Sequence, residues 1–165
     1  MTHILSSELL ADARKVIDVC RKSGLKIATV ESCTGGLLAG ALTSIAGSSA
    51  VLERGFITYS NAAKSEQVGV PKALIEVHGA VSEKVARAMA EGGVAQSQAA
   101  LAIALTGVAG PDGGTVDKPV GLVHLAGARV GRKTLHFSQV FSGDRDDVRL
   151  GSVLAGLGLL HSIAE

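Results

Sequence analysis

Between Leu25 and Val30 the chain holds a short apolar stretch, β-branched at Ile27, Thr29 and Val30, and within a few residues it has become helical. A stretch this short and branched suits a buried strand. Downstream, Leu37, Leu38, Ala41, Leu42 and Ile45 recur at helical spacing. The connection, Glu31-Ser32-Cys33-Thr34-Gly35-Gly36, is polar and glycine-containing. A strand that passes so directly into a helix is a building step of an α/β fold. Such a turn also presents backbone N–H groups at a helix N-terminus, where an anion or a developing oxyanion is stabilised without a cationic side chain. A serine held there is a candidate nucleophile.

The remaining pattern fits this beginning. Ser6 or Ser7 caps a predicted helix to about Ser23, with Leu9, Leu10, Ala13, Val16, Ile17 and Cys20 on one face, and Gly24 stops it. After the first strand, the helix of the turn runs to about Ala46 and Val51 to Tyr59 reads as a second strand with an exposed or bulged beginning at Glu53 and Arg54. Ser60 or Asn61 caps a helix carrying Lys64, Pro71 opens a short helix, and Val81-Ser82 precedes a longer one to about Ser97. Leu101 to Leu105 is a continuous apolar strand, 106–118 a glycine-rich loop, and 120–130 with 132–141 a hairpin. Ser142-Gly143-Asp144-Arg145 caps a last helix with Val148, Leu150, Val153, Leu154, Leu157 and Leu160. The expectation is one α/β domain over residues 1–165, three-layered, with a mostly mixed sheet of about five strands flanked by helices. Its loops at strand C-termini are the expected home of a site.

Composition narrows the function classes. Aromatic residues make up 2% of the chain and Trp is absent, while glycine numbers 21, so the core is aliphatic with close backbone approaches. A net charge of +1 with no basic run longer than two residues argues against a nucleic-acid partner, and the lone Tyr59 and three Phe offer no stacking platform. Cys20 and Cys33 form no metal-ligand spacing, and no metal or cofactor is expected. No apolar run approaches a membrane span, and the first residues lack a signal-peptide core. The expected setting is the cytoplasm, with reduced thiols, and the apolar last helix favours a homo-oligomer.

Four loops concentrate polar residues: 31–36, 59–64, 106–118 and 142–149. Ser32 reads either as a helix cap or as a nucleophile, and the second role requires a base. The histidines are poorly placed for it: His3 and His161 lie near the termini, His124 and His136 within strands, and His78 in a loop of its own. Lys64 is the better partner, because a helix start and burial both disfavour an ammonium. An ordinary lysine, with pKa about 10.4, is almost wholly protonated at neutral pH, so burial must do considerable work. A solvated lysine is the alternative. Tyr59 can relay a proton or fix the lysine. The segment from Thr106 through Gly107, Gly110 and Gly113 fits a backbone that approaches a ligand closely, or a plain connector. Arg145 either joins surface ion pairs or reaches an anionic substrate group.

Together, Glu31 to Gly36, Ile45 to Ser49, Arg54 to Asn61, Lys64, His78 to Ser82, Thr106 to Gly114, Lys118 to Gly121 and Phe141 to Arg145 resemble the C-terminal domain of the competence/damage-inducible protein CinA. The resemblance implies an amidohydrolase that converts nicotinamide mononucleotide to nicotinate mononucleotide and ammonia by a metal-free Ser–Lys mechanism, in pyridine nucleotide recycling. It also implies the stand-alone form, without the N-terminal domain of longer members. Carried over by position, Ser32 is the nucleophile, Lys64 its base and Tyr59 a helper. On physical grounds the N–H groups of the 33–36 turn, around Thr34, Gly35 and Gly36, are candidate oxyanion donors, and Asn61, Thr106, Gly107, Gly110, Gly113 and Arg145 are candidate substrate contacts. Cys33 is the rival nucleophile, since a helix N-terminus lowers a thiol pKa, although adjacent strand-end residues face opposite ways. The rivals from other classes are a non-catalytic nucleotide-binding module linked to competence or DNA damage, and a Schiff-base lysine enzyme.

Overall fold

The structure is a computed structural model and describes residues 5–165. Helix α1 (Ser7–Lys22) is capped by the Ser6 hydroxyl, which accepts from the Leu9 N–H. Strand β1 (Ile27–Glu31) follows, buried at every position, and leads into α2 (Leu37–Thr43). A single 3₁₀ turn precedes β2 (Leu52–Ile57), then come α3 (Asn61–Val68), α4 (Lys72–His78) and α5 (Glu83–Ala95). The remainder is β3 (Leu101–Gly107), β4 (Leu122–Arg129), β5 (Leu135–Val140) and α6 (Arg145–Ala164). The sheet order is β2-β1-β3-β4-β5, with β2, β1 and β3 parallel, β4 antiparallel to β3 and β5 antiparallel to β4. Among the described residues, a mixed five-stranded sheet and six helices form the expected single α/β domain.

Alternation along the strands divides the core. Ile27, Leu101, Ile103, Leu105, Val123 and Leu125 pack with α1, α2 and α6 on one face. Val30, Ala104, Ala126 and Ala128 pack with α5 and the ends of α3 and α4 on the other. The second face is lined by small residues, and α5 comes close to it: a Cβ on Gly93 would lie 2.6 Å from Val30 Cγ2 and 3.0 Å from Ala102 Cβ. This is the close backbone approach that an aliphatic, glycine-rich composition allows.

Several boundaries differ from expectation. β1 starts two residues late and includes Glu31, because the ladder to both neighbours continues to Ile57 and Leu105. α2 ends at Thr43, earlier than Ala46. β2 is shorter than 51–59, and its register shift skips Glu53, so that of the two expected forms, an exposed or a bulged beginning, the strand has the bulge. β3 extends to Gly107, so Thr106 and Gly107 belong to a strand end rather than to the loop. The hairpin strands stop at Arg129 and resume at Leu135. On α6, Leu150 is exposed and lies off the buried stripe.

The chain order creates the crevice. β1 sends its helix, α2, to one face, whereas β2 sends α3 to α5 to the other. The loops leaving the two strands therefore diverge at their carboxyl ends, which is where open α/β sheets hold ligands.

Candidate active site

Ser32 is the first residue past β1, and its N–H donates to the Leu105 carbonyl at 3.0 Å, which ties it to the end of β3. Its side chain lies on the α3–α5 side of the sheet. Lys64 stands in the first turn of α3, whose N-cap Ser60 accepts from the Ala63 N–H. From there the side chain runs inward and is 1% exposed. Its Nζ donates to Ser32 Oγ at 3.0 Å and to the carbonyls of Thr58 at 2.8 Å and Tyr59 at 3.4 Å. Burial pushes the Lys64 pKa below the ordinary lysine range. No carboxylate lies within ion-pair distance of it among the described residues; its partners are one hydroxyl and two carbonyls.

Ser32 and Lys64 open on a cavity of about 290 Å³. Tyr59 and Asn61 form one wall, Ala80 and Val81 another, and the strand end and loop from Thr106 to Gly113 a third, with Arg145 at the rim. Thr106 is buried and its hydroxyl donates to the Ala80 carbonyl at 2.9 Å, joining two of these walls. Arg145 donates to the Gly110 carbonyl at 2.7 Å and to the Tyr59 hydroxyl at 3.0 Å, joining the third wall to the first. A polarised serine, a lysine with weakened basicity and a guanidinium over one concave space are the parts of an acyl-transfer site with a place for an anionic group.

The model of the CinA C-terminal domain family matches residues 10–164. The chain belongs to the CinA C-terminal domain family. It is 46% identical to a nicotinamide-nucleotide amidohydrolase PncC of Shigella flexneri, with 87% of each chain covered. It is 52% identical over 138 residues to a CinA-like protein of Anaeromyxobacter dehalogenans, and spans about a third (34%) of that protein's length. Among solved structures it resembles the competence/damage inducible protein CihA of Agrobacterium tumefaciens, at 43% identity and TM-score 0.97, covering 99% of this chain and 100% of that one. It likewise resembles the CinA superfamily protein of Escherichia coli, at 31% identity and TM-score 0.90, covering 98% and 94%.

In this CinA C-terminal domain the expected residues divide. Ser32, Tyr59, Asn61, Lys64, Thr106, Gly107, Gly110, Gly113 and Arg145 all border the cavity. Thr34, Gly35 and Gly36 do not, which corrects the expectation that they hold an oxyanion. Thr34 is fully buried, and the Gly35 N–H donates back to the Ser32 carbonyl at 3.1 Å. The N–H groups of Gly36, Leu38 and Ala39 donate to the Glu31 carboxylate at 3.0, 3.1 and 2.9 Å. A buried carboxylate therefore fills the start of α2. The turn depends on φ of +103° at Gly36, which only glycine adopts readily.

Tyr59 acts on Lys64 through its backbone carbonyl; its hydroxyl is taken by Arg145. This differs from a phenolic relay, because the chain turns at the end of β2 and leaves the side chain 60% exposed. Cys33 is also corrected. Its thiol packs into the core, and burial pushes its pKa up to about 11 rather than down. The Glu31 carboxylate adds to that rise by offsetting the helix end. Of the histidines, His124 and His136 face each other with Nδ1 and Nε2 2.9 Å apart, the His78 carbonyl accepts from Lys118 Nζ, and His3 lies outside the described residues.

Two participants escaped the sequence reading. Glu31 lies in the motif Glu31 to Gly36 and has no role assigned from sequence; a glutamate ending an apolar strand just before a Gly-Gly turn is the available signal. Arg149 ends the polar stretch 142–149 and has no role assigned from sequence. It does approach Asp146 at 3.6 Å, but its Nε donates to the Cys33 carbonyl at 3.2 Å and its Nη2 to that of Thr34 at 3.4 Å. Its spacing of one turn from Arg145 on a capped helix was the only hint.

Proposed function

We propose that this CinA C-terminal domain hydrolyses the carboxamide of nicotinamide mononucleotide to nicotinate mononucleotide and ammonia, with Ser32 as nucleophile and Lys64 as its base. The observation that carries the reading is the 3.0 Å contact between Lys64 Nζ and Ser32 Oγ, made by a lysine that burial has made less basic. Support for the substrate comes from the PncC relatives named nicotinamide-nucleotide amidohydrolase, such as the Shigella flexneri protein and one of Enterobacter agglomerans at 48% identity.

Neutral Lys64 takes the Ser32 proton as Oγ bonds to the carboxamide carbon, and the carbonyl electron pair moves onto oxygen. As that pair returns, the C–N bond breaks and Lys64 gives its proton to the departing nitrogen, releasing ammonia. Water then attacks the ester, Lys64 takes its proton and returns it to Ser32 Oγ, and the acid is freed. The carbonyls of Thr58 and Tyr59 keep Nζ aligned through these transfers. Arg145 meets the phosphate end of the substrate, a charge-assisted contact. With two unpaired cysteines in the chain, we place this activity in the cytoplasm.

The test is ammonia release from nicotinamide mononucleotide in the presence of EDTA. Wild type is expected to release it and Ser32→Ala to be nearly inactive while folding normally. Stoichiometric nucleotide binding by wild type without any ammonia would overturn the reading in favour of a binding module.

A further inference from the structure

The polar groups of the nucleophile turn are nearly all committed before a substrate arrives. Glu31 takes the first donors of α2, and the Gly35 N–H takes the Ser32 carbonyl. Arg149, 116 positions away in sequence, takes the carbonyl of Cys33 and, more weakly, that of Thr34. In a trans peptide the N–H points opposite to the C=O. Folding the Ser32 carbonyl back onto Gly35 therefore turns the Cys33 N–H outward, and anchoring the Cys33 carbonyl on α6 holds the residue in that attitude. Apart from a contact with its own thiol, the Cys33 N–H donates to no residue among those described, and Cys33 borders the cavity although its thiol lies in the core. Thr34, the next candidate, is fully buried and away from the cavity.

From this we infer that Arg149 is a positioning residue, which holds the turn so that the Cys33 N–H donates to the oxyanion formed on Ser32 attack. The inference rests on the amidohydrolase reading above and names a part of that site. A donor one residue after the nucleophile is what a strand-to-helix serine turn offers, and it sees charge only as the carbonyl pair shifts to oxygen. No proton moves to or from it. The guanidinium has little other employment: Asp146, its one ion-pair partner among the described residues, is 90% exposed, and such pairs contribute little.

Arg149→Met removes both carbonyl contacts at similar length, and Arg149→Lys can keep one. Two rates are measured for each: turnover of nicotinamide mononucleotide, and labelling of Ser32 by a fluorophosphonate, which forms a Ser–P bond and expels fluoride. Arg149→Met is expected to lower kcat about 100-fold with KM within about 3-fold, the scale of losing one oxyanion donor. Labelling slows in parallel, Arg149→Lys is intermediate in both, and the melting temperatures stay together. A raised KM with kcat preserved would overturn the inference by placing Arg149 on the substrate. Equal losses in both variants, tracking lowered melting temperatures, would also overturn it by leaving only a structural role. If wild type releases no ammonia the amidohydrolase reading fails, while the labelling series still decides for or against Arg149. If wild-type Ser32 resists the label as well, both fall.

Discussion

At Lys64 an ammonium would have to exchange bulk water for one hydroxyl and two carbonyls, with no carboxylate among the described residues within ion-pair distance to offset its charge. That exchange lowers the pKa, and it has consequences in two directions. For catalysis, the base is the neutral amine, so kcat/KM is expected to rise with pH through a lysine pKa lying below the ordinary 10.4. Lys64→Ala should lower kcat by 10²- to 10⁴-fold, the usual worth of a general base, and abolish that pH limb. For stability, the unfolded chain binds the proton more readily than the folded one between the lowered pKa and 10.4. The penalty is complete below the lowered value and fades as pH rises towards 10.4. The melting temperature of wild type should therefore gain on that of Lys64→Met between pH 7 and 10. A gap that does not change with pH would mean that Lys64 is charged and solvated in the native state. The same contrast between burial and charge separates Ser32 from Cys33: the thiol is driven into the core with a pKa of about 11, and the hydroxyl is left facing an amine.

Among the elements, α5 and α6 use glycine for opposite reasons. Gly93 lets α5 press against the alanine-lined face of the sheet, where a Cβ would stand 2.6 Å from Val30. Gly158, in α6, has nothing within 4 Å of the same construction. Gly93→Ala is therefore expected to lose about 1–3 kcal/mol to overpacking despite its better helix propensity. Gly158→Ala is expected to gain up to about 1 kcal/mol. Urea unfolding of the pair checks both signs, and a stabilised Gly93→Ala would show that α5 has room to withdraw from the sheet. α5 also bounds the site, because its N-cap segment supplies Ala80 and Val81 to the cavity. Loss of its close packing should cost activity along with stability.

For the molecule as a whole, the pH response has an acid side too. His124 and His136 meet across the β4–β5 hairpin, and burial first, then for His124 the neighbouring ring, lowers both pKa values. The native state resists taking up these protons while the unfolded chain accepts them near the ordinary 6.5. Global stability should therefore fall as pH drops through 6.5, and His124→Gln should flatten that fall; an equally steep loss in the variant would place its cause elsewhere, in the carboxylates. By its residue order alone the chain determined its α/β class, where its helices start to within a residue or two, an irregular beginning of β2 at Glu53 and Arg54, and nine residues that border one cavity. Those features are local, since periodicity, capping chemistry and glycine turns act within a few positions. Only the tertiary structure decided that Glu31 fills the start of α2, that Cys33 is buried and that Tyr59 holds Lys64 by a carbonyl. It alone brought Arg149 to the nucleophile turn. Each of these depends on which way a strand end points and on which helix packs over it, and the physical reason is that burial, which sets both charge and contact, is a property of the assembled layers.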